Sequence, residues 1–543
     1  MRKTVFRIVV FMAWAGVLTA GERPNILLLT VDSFRPDRLG CSGYRHARTP
    51  SIDRLAAGGV LFTRAFSTAS WTNPSLVSML TGLYPGVHGV ERRGRSVPGA
   101  LDTPMEAMAR AGMMVPEINY LFPMPNYTGL GFTPNEFRDL PGFLAAYRDS
   151  TFFAWYHFHG PHLPYHPPER CLELFGLDSL EGSRSLAAVM ENVLMPRGEY
   201  IFTPREQALV SALYDAEVAA QDEEIGRVLE ALDSLGLTGK TIVVLSADHG
   251  EELFDHGWLG HASTSLSGTL FDELIRIPLI ISWPARLPAG RVVARPVQSV
   301  DLMPTLFELA GLVWQGPGQG ESLLPVIEDR GPGPGEVVFC ETSICGYQCE
   351  DGLEPVWLRC VRTDRFKLVQ TLAPGGEPSY SLYDLEADPG EREDCASRLP
   401  EEVIRLQGML HARVFAGRRL RMSLLAADSA GTAAHGSGAP GPEAPCEVTS
   451  PREGETVAFG SYQGRVPVSW AGPEDSEYVV EYRVGRGKYH LEGSFPVRGS
   501  GETFGPFNRI FWQALPLYNP WSFRVVPRDR PELTGSWRTF NFE

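Results

Sequence analysis

Two unbroken apolar runs, each of which closes on an acidic residue, constrain the fold of this chain more than any other feature. Residues 25–32 read NILLLTVD, and residues 241–250 read TIVVLSADHG far along the chain. A run without polar alternation predicts a strand buried on both faces, as in the parallel sheets of α/β proteins. Ligands of such sheets bind beyond the carboxyl ends of the strands, so Asp32, Asp248 and His249 are predicted to meet there.

A third segment, residues 70–85 with the sequence SWTNPSLVSMLTGLYP, predicts a helix that begins beside a hydroxyl group. Pro74 suits the first turn of a helix, where its missing N–H costs nothing, and Gly82 marks the end of the helix. The unpaired amides of the first turn favour an anion held above Thr72. Thr72 therefore lies where a nucleophile would be, although a plain N-cap is its alternative role.

If the three segments converge, Asp32, Thr72, Asp248 and His249 supply two carboxylates, a hydroxyl and an imidazole. This set is a plausible cage for one divalent cation. Asp32 could instead only cap its strand, and residues 248–250 could form only a tight turn.

These segments together resemble the sulfatase family, which belongs to the alkaline phosphatase superfamily. The resemblance covers roughly residues 23 to 420 and implies an α/β fold with an alkaline-phosphatase-like, helix-flanked and mostly parallel sheet. It also implies metal-dependent hydrolysis of sulfate or phosphate esters. Further blocks similar to those of the family are residues 37–44, 49–55, 161–165, 275–280, 301–306 and 382–389.

The chain departs from the usual family pattern at the nucleophile. Most sulfatases carry Cys or Ser, then Pro and Arg at alternate positions, and the first residue becomes formylglycine; here the three positions hold Thr72, Pro74 and Leu76. Threonine is not converted in this way, so the resemblance implies that unmodified Thr72 is itself the nucleophile. The Lys-x-His pair with which many sulfatases hold the sulfate group is absent around residues 117–120.

The threonine leaves other activities open. Superfamily branches with a threonine nucleophile act on phosphodiesters, as phosphodiesterases or as phosphoglycerol and phosphoethanolamine transferases on envelope lipids or glycans. A catalytically inactive binding protein is a further interpretation.

The resemblance also distinguishes among the histidines. His162, within GPHLP, matches a family histidine that contacts the transferred group, and His261, within GHAS, lies near a further catalytic position. The remaining candidates are expected to be structural or solvated rather than ligands: His157, His166 and His256.

The metal site implied by the resemblance lacks one usual charge. Ser33 stands where many sulfatases have a second carboxylate, and His249 adds a nitrogen donor. These changes favour zinc or manganese over calcium for the one divalent metal, without settling its identity.

Composition limits the class of partner. The chain has 49 basic and 65 acidic residues, a net charge of −16, which argues against wholesale nucleic-acid binding. The resemblance implies a small-molecule, glycan or lipid sulfate or phosphate ester as the substrate. Arg92, Arg93 and Arg95 could form a local basic patch near the site, or only a solvated loop.

The sequence predicts an exported protein in several parts. Residues 1–20 resemble a cleaved signal peptide, which indicates a periplasmic or extracellular location. Residues 21–425 form the catalytic domain, with a helix over 214–235 in which Asp222 faces water. Residues 426–446, rich in Ala, Gly and Pro, predict a flexible linker. Residues 447–543 predict a small immunoglobulin-like or fibronectin-like β-sandwich, either a spacer or a contact to a polymer or cell surface.

Eight cysteines in an exported chain favour disulfides. The spacing of one group is irregular for a paired-CxxC zinc site, so disulfide bonding is expected among Cys340, Cys345, Cys349 and Cys360.

Overall fold

A computed structural model describes most of the chain. The described residues are 23–135, 137, 139–177, 184–331, 333–349 and 354–434, followed by segments 448–450, 456–457, 466–470, 477–484, 491–498, 501–504, 521–527 and 536–542. The predicted signal peptide lies outside them.

The central sheet is mixed and mostly parallel. Its strands and an adjoining hairpin are β1 (Asn25–Val31), β2 (Val60–Phe66), β3 (Phe153–Phe158), β4 (Thr241–Ala247), β5 (Glu252–Leu253), β6 (Leu259–Gly260), β7 (Arg276–Ser282), β8 (Arg291–Val293) and β9 (Val297–Gln298). The strand order is β3-β1-β4-β7-β2-β8, with β9 also paired to β2 and with β5 and β6 forming the separate hairpin. Only β7 runs antiparallel to its neighbours in the central sheet. The predicted helix-flanked, mostly parallel sheet is confirmed.

Strands β1 and β4 lie side by side in the middle of this sheet. All seven residues of each strand are buried, as their continuous apolar sequences predict. The two strands are parallel, and Val31 pairs with Ala247. Asp32 and Asp248 therefore leave adjacent strands at the same edge of the sheet.

Helices cover the sheet and join its strands. They are α1 (Pro50–Ala57), α2 (Thr72–Thr81), α3 (Pro85–His88), α4 (Pro104–Arg110), α5 (Leu140–Ala146), α6 (Glu169–Leu174), α7 (Arg184–Glu191), α8 (Pro204–Ser234), α9 (Ala262–Ser265), α10 (Asp272–Ile275), α11 (Leu302–Ala310), α12 (Leu324–Ile327) and α13 (Pro400–Ala434). Helix α2 ends at Gly82, whose φ of 66° is the left-handed conformation that favours glycine. The helix predicted in this segment is confirmed.

Helix α8 is longer than the predicted 214–235 segment. A capping box of Thr203 and Glu206 starts it ten residues before Tyr214. The prediction that Asp222 faces water is wrong, because its carboxylate is buried and accepts the backbone N–H groups of Ser51 and Ile52. These two amides belong to the first turn of α1, which has no intrahelical acceptor for them.

A second, antiparallel sheet follows the central one. It contains β10 (Val338–Ser343), β11 (Trp357–Arg362), β12 (Phe366–Leu372) and β13 (Ser379–Asp384) in sequential order. Leu406 and Leu410 of α13 pack on Val361, Leu368 and Leu382 of this sheet. Helix α13 continues to Ala434, so the prediction of a linker is wrong for residues 426–434; residues 435–446 lie outside the described part.

The C-terminal region forms two further sheets. Its strands are β14 (Val448–Ser450), β15 (Thr456–Val457), β16 (Val466–Trp470), β17 (Glu477–Val484), β18 (Leu491–Arg498), β19 (Gly501–Phe504), β20 (Trp521–Pro527) and β21 (Arg538–Phe542). They are ordered β14-β16-β19 and β15-β21-β20-β17-β18, with mostly antiparallel pairing. Short strands are thus observed within residues 447–543, whereas the immunoglobulin-like or fibronectin-like β-sandwich stays a prediction.

The cysteines meet the disulfide prediction in part. Cys345 and Cys349 are bonded to each other, whereas Cys340 and Cys360 face each other on β10 and β11 as free thiols. Among the described residues, no helix has both the length and the apolar character that crossing a bilayer requires.

Candidate active site

The structure brings Asp32, Asp248 and His249 together beyond the carboxyl ends of β1 and β4. His249 Nε2 lies 3.6 Å from Asp32 Oδ1 and 3.5 Å from Asp248 Oδ2. His249 Nδ1 lies 2.7 Å from the carbonyl oxygen of Gly250, which can only accept, so Nδ1 carries the proton. The lone pair therefore lies on Nε2, the ring nitrogen that faces the two carboxylates. One ligand atom from each of these three residues lies within 4.8 Å of the others.

The electrostatics of this group suit a cation. Burial raises the pKa of Asp248 well above its usual value, and the negative charge of Asp32 raises it further. Burial alone would also raise the pKa of Asp32, but His162, His157 and His249 hold it well below the usual range. Burial and the charge of His261 lower the pKa of His249 to about 3, which keeps its imidazole in the neutral form that binds metals.

The donor set also has unused capacity. Asp248 Oδ2 is buried and has no hydrogen-bond partner among the described residues. A buried carboxylate oxygen without a partner is costly, and a divalent cation would remove that cost. The residues therefore fit the metal that was predicted, although their role as ligands stays a prediction.

Thr72 is the first residue of α2 and lies beside the metal-ligand candidates. Its Oγ1 is 3.4 Å from His249 Nε2. The Ser75 hydroxyl, one turn later, donates to the backbone oxygen of Asp248 at 2.5 Å and fixes the helix to the end of β4. The predicted placement of Thr72 is therefore observed, whereas its chemical role stays a prediction.

His162 and His261 both reach the same site. The ring centroid of His261 lies 4.4 Å from the ring centroid of His249 and 5.0 Å from that of His162. His162 Nδ1 lies 2.6 Å from the carbonyl oxygen of Leu163, which fixes the ring. Burial and the charge of His162 lower the pKa of His261 to about 3.

Glu251 is a site residue that the sequence analysis missed. Its buried carboxylate lies 2.9 Å from His261 Nδ1, while His261 Nε2 has no hydrogen-bond partner among the described residues. No local pattern distinguishes Glu251, because the neighbouring Glu252 is buried as well.

His157 is structural, as expected, and it lies beside the metal-ligand candidates. Its Nε2 lies 3.6 Å from Asp32 Oδ2 and 3.9 Å from Asp248 Oδ2, and its side chain is fully buried. It lies opposite Thr30 in the pairing of β3 with β1, so both side chains share the face toward which Asp32 also points.

Hydrogen bonding around Thr30 sets the tautomer of His157. The Trp155 indole N–H donates to Thr30 Oγ1 at 2.9 Å, and Thr30 Oγ1 lies 2.8 Å from His157 Nδ1. Thr30 Oγ1 can accept the Trp155 N–H and donate its own hydrogen to His157 Nδ1, which gives all three side chains a partner. His157 then carries its proton on Nε2 and presents it to the two carboxylates.

The other two histidines lie apart from these groups. His256 Nδ1 pairs with Glu273 Oε1 at 2.5 Å, and His166 is exposed. His256 also forms, with Glu252 and Glu273, a second group that could hold a metal ion, so its expected structural role stays a prediction.

Ser33 and Gly160 shape the backbone around Asp32. The Ser33 N–H donates to Asp248 Oδ1 at 3.1 Å, and its hydroxyl donates to Asp32 Oδ1 at 3.0 Å. A Cβ atom at Gly160 would come within 2.4 Å of the Asp32 carbonyl oxygen, so glycine is required there.

Family models and known proteins that are similar to this chain identify its family. The family model described as Sulfatase matches residues 24–113 and 135–312, and the model described as N-sulphoglucosamine sulphohydrolase, C-terminal, matches residues 256–418. The chain is 24% identical over 467 residues to an N-acetylglucosamine-6-O-sulfatase of Bacteroides thetaiotaomicron, an alignment that covers 68% of this chain and 82% of the relative.

Solved structures share the fold. A phosphonate monoester hydrolase of Agrobacterium radiobacter is 24% identical with a TM-score of 0.60, over 74% of this chain and 96% of the other. A protein solved in complex with its substrate D-glucosamine-2-N,6-O-disulfate is 21% identical with a TM-score of 0.58, over 74% of this chain and 98% of the other.

Proposed function

The chain belongs to the sulfatase family, and from that premise we propose that it hydrolyses sulfate or phosphate esters with Thr72 as the nucleophile. The observation that supports this most is the position of Thr72 Oγ1, at the amino end of α2 and 3.4 Å from His249 Nε2. An anion above this helix terminus would meet the unpaired amides of the first turn.

The cation is the first element of the proposal. Asp32, Thr72, Asp248 and His249 would hold one divalent metal, and its mixed oxygen and nitrogen donors favour zinc or manganese over calcium. When bound, such a metal lowers the pKa of an oxygen nucleophile and neutralises charge on the ester oxygens.

The chain's own residues would then divide the reaction into two steps. Thr72 Oγ1 forms a bond to sulfur or phosphorus, and the bond from that atom to the ester oxygen breaks. His261 Nε2 accepts the hydroxyl proton of Thr72, and a doubly protonated His162 passes its Nε2 proton to the leaving oxygen.

Water completes the cycle. It attacks sulfur or phosphorus of the threonyl ester, gives one proton to His162, and Thr72 leaves with the proton held by His261. Free sulfate or phosphate, the alcohol and the starting protein result. Glu251 keeps the ring of His261 oriented through both steps.

The names of two relatives support a class of substrate. One is an N-acetylglucosamine-6-O-sulfatase and another was solved with a glucosamine disulfate, which supports a sulfated saccharide as substrate. The unmodified threonine and the structural likeness to a phosphonate monoester hydrolase keep phosphate esters in the proposal. The apolar run in residues 1–20 supports an exported protein.

Paired aryl sulfate, phosphate monoester and phosphodiester substrates test this proposal. We expect metal-dependent turnover of at least one of them by the wild type and its loss in Asp248→Ala, together with a lower metal content. Arg148→Ala, which changes an exposed loop before β3 at the opposite edge of the sheet, is the control. Equal metal content in wild type and Asp248→Ala would contradict the ligand assignment, and phosphoryl or sulfuryl transfer to an added alcohol instead of water would identify a transferase. No turnover of any of the three substrates by the metal-loaded wild type would support the inactive binding protein.

A further inference from the structure

A cavity lined by arginines lies outside the set of metal and catalytic residues. It has a volume of about 310 Å³, and it is lined by Gly89, Glu91, Arg92, Arg95, Glu354, Trp357, Arg359 and Arg421. Four guanidinium groups against two carboxylates give an excess of positive charge, in a chain whose net charge is −16. Such a local reversal of charge favours an anionic ligand.

Side-chain hydrogen bonds link residues 92–95, which contribute to this cavity, to the start of α2. Asn73, which follows Thr72, donates from its side chain to Asn126 Oδ1 at 2.9 Å. The side-chain amide of Asn126 in turn donates to the backbone oxygens of Arg92 at 3.2 Å and Arg95 at 2.8 Å. Residues 92–95, which we call the arginine loop, are therefore connected to the start of α2 through the single side chain of Asn126.

The other side of the loop reaches the segment that carries His261. The Arg93 guanidinium lies over the ring of Tyr347, 5.1 Å from its centroid. The Tyr347 N–H donates to the hydroxyl of Ser263, two residues after His261. The loop thus spans from the nucleophile helix to the segment of a proposed catalytic histidine.

Three of the four arginines form ion pairs, so the excess positive charge lies on Arg95. Arg359 pairs with Glu341 at 3.3 Å. Arg92 pairs with Glu354 at 3.2 Å, and Arg421 pairs with Glu91 at 3.4 Å. Arg95 is exposed, and its side chain forms no ion pair with a described residue. Burial and the charge of Glu341 raise the pKa of Glu91 to about 7, which weakens the negative charge opposite Arg421.

An aromatic side chain completes the chemistry of the cavity. Trp357 is half-buried in the wall, with the Arg92 guanidinium 5.9 Å from its ring centroid. A tryptophan face offers an apolar surface to a sugar ring, and guanidinium groups bind sulfate or carboxylate in a fork geometry.

We propose that this cavity binds a second anionic group of a saccharide substrate while another ester of the same molecule lies at Thr72. The substrate class is then a polyanionic glycan bearing sulfate or carboxylate on neighbouring sugars. This inference rests on the proposed function, because it extends the same substrate beyond the reacting ester.

Binding of a defined polysulfated tetrasaccharide tests the cavity directly. Calorimetry on the metal-loaded full-length protein compares wild type with Arg95→Ala, Arg95→Lys and the exposed control Arg148→Ala. We expect a dissociation constant about ten-fold higher for Arg95→Ala, as for the loss of one charge-assisted contact that is partly exposed. Arg95→Lys should recover part of the loss, and Arg148→Ala should match the wild type.

A competition series separates this cavity from the reaction centre. Inorganic sulfate is small enough to bind only one site, so its inhibition constant for aryl ester turnover should be the same in wild type and Arg95→Ala. The inhibition constant of the tetrasaccharide should rise about ten-fold in that variant. Equal tetrasaccharide affinity in wild type and Arg95→Ala, or an equal loss for inorganic sulfate, would overturn the proposal.

The two proposals fail differently. If the wild type hydrolyses none of the aryl esters, the proposed function fails, while calorimetry still reports on the cavity. If it hydrolyses an ester and Arg95→Ala binds the tetrasaccharide normally, only the cavity proposal fails.

Discussion

Replacement of His157 by leucine should weaken metal binding without removing a ligand. His157 Nε2 lies 3.6 Å from Asp32 Oδ2 and 3.9 Å from Asp248 Oδ2. The hydrogen bond from the Thr30 hydroxyl to Nδ1 leaves the proton of His157 on Nε2. Residues that hold metal-binding carboxylates in place typically contribute 10- to 100-fold in metal affinity. Both separations exceed a normal hydrogen bond, so we expect the lower end, about ten-fold or 1.4 kcal/mol.

Competition with a chelator for Zn²⁺ or Mn²⁺ measures this effect. His157→Gln can donate an amide N–H from a similar position, so it should stay within about three-fold of the wild type. His166→Leu changes an exposed histidine and serves as the control. Unchanged affinity in His157→Leu would refute the positioning role. An equal loss in both His157 variants would show instead that the imidazole binds the metal itself.

The remaining predictions concern stability and domain layout. Lys367 is fully buried and pairs with Asp272 and Glu391, so Lys367→Met should lower the free energy of unfolding by about 3–5 kcal/mol in denaturant titrations; a loss below 1 kcal/mol would mean that the cluster is not buried in solution. Burial alone would raise the pKa of Asp272, but Lys367 and Arg362 hold it well below its usual value. Its contribution should therefore be present above about pH 4 and be lost on further acidification, which equilibrium unfolding across pH would show. Truncation after Ala434, the last residue of α13, should leave kcat/KM on a small aryl ester unchanged, and aggregation of the product would show that the C-terminal module completes the fold.

Much of the central sheet and the placement of the metal-ligand candidates could be predicted, because each strand that ends in a candidate is a continuous stretch of sequence. The runs that end at Asp32 and Asp248 are buried on both faces, and their lack of alternating polar residues predicts this burial. Thr72 could be located because the proline and glycine that bound its helix are local signals.

The missed features depend on contacts between distant segments. His157 lies in a strand that is almost continuously aromatic, and only the register with β1 shows that it faces Asp32. Asp222 looks solvated on its own helix, but it is buried because two unpaired amides of α1 need an acceptor. The antiparallel sheet β10–β13 has half-buried strands of weak pattern, and α13 covers it from well beyond in the sequence.

The most direct test of the central claim is a search for the covalent threonyl intermediate. The metal-loaded protein would be mixed with an activated aryl sulfate or aryl phosphate, quenched in acid within the first turnover and digested for mass spectrometry. We predict one sulfuryl or phosphoryl group on the Thr72 side chain in the wild type and none in Thr72→Ala, which should also lose turnover. An unmodified Thr72 with the label on another residue, or full activity in Thr72→Ala, would contradict Thr72 as the nucleophile.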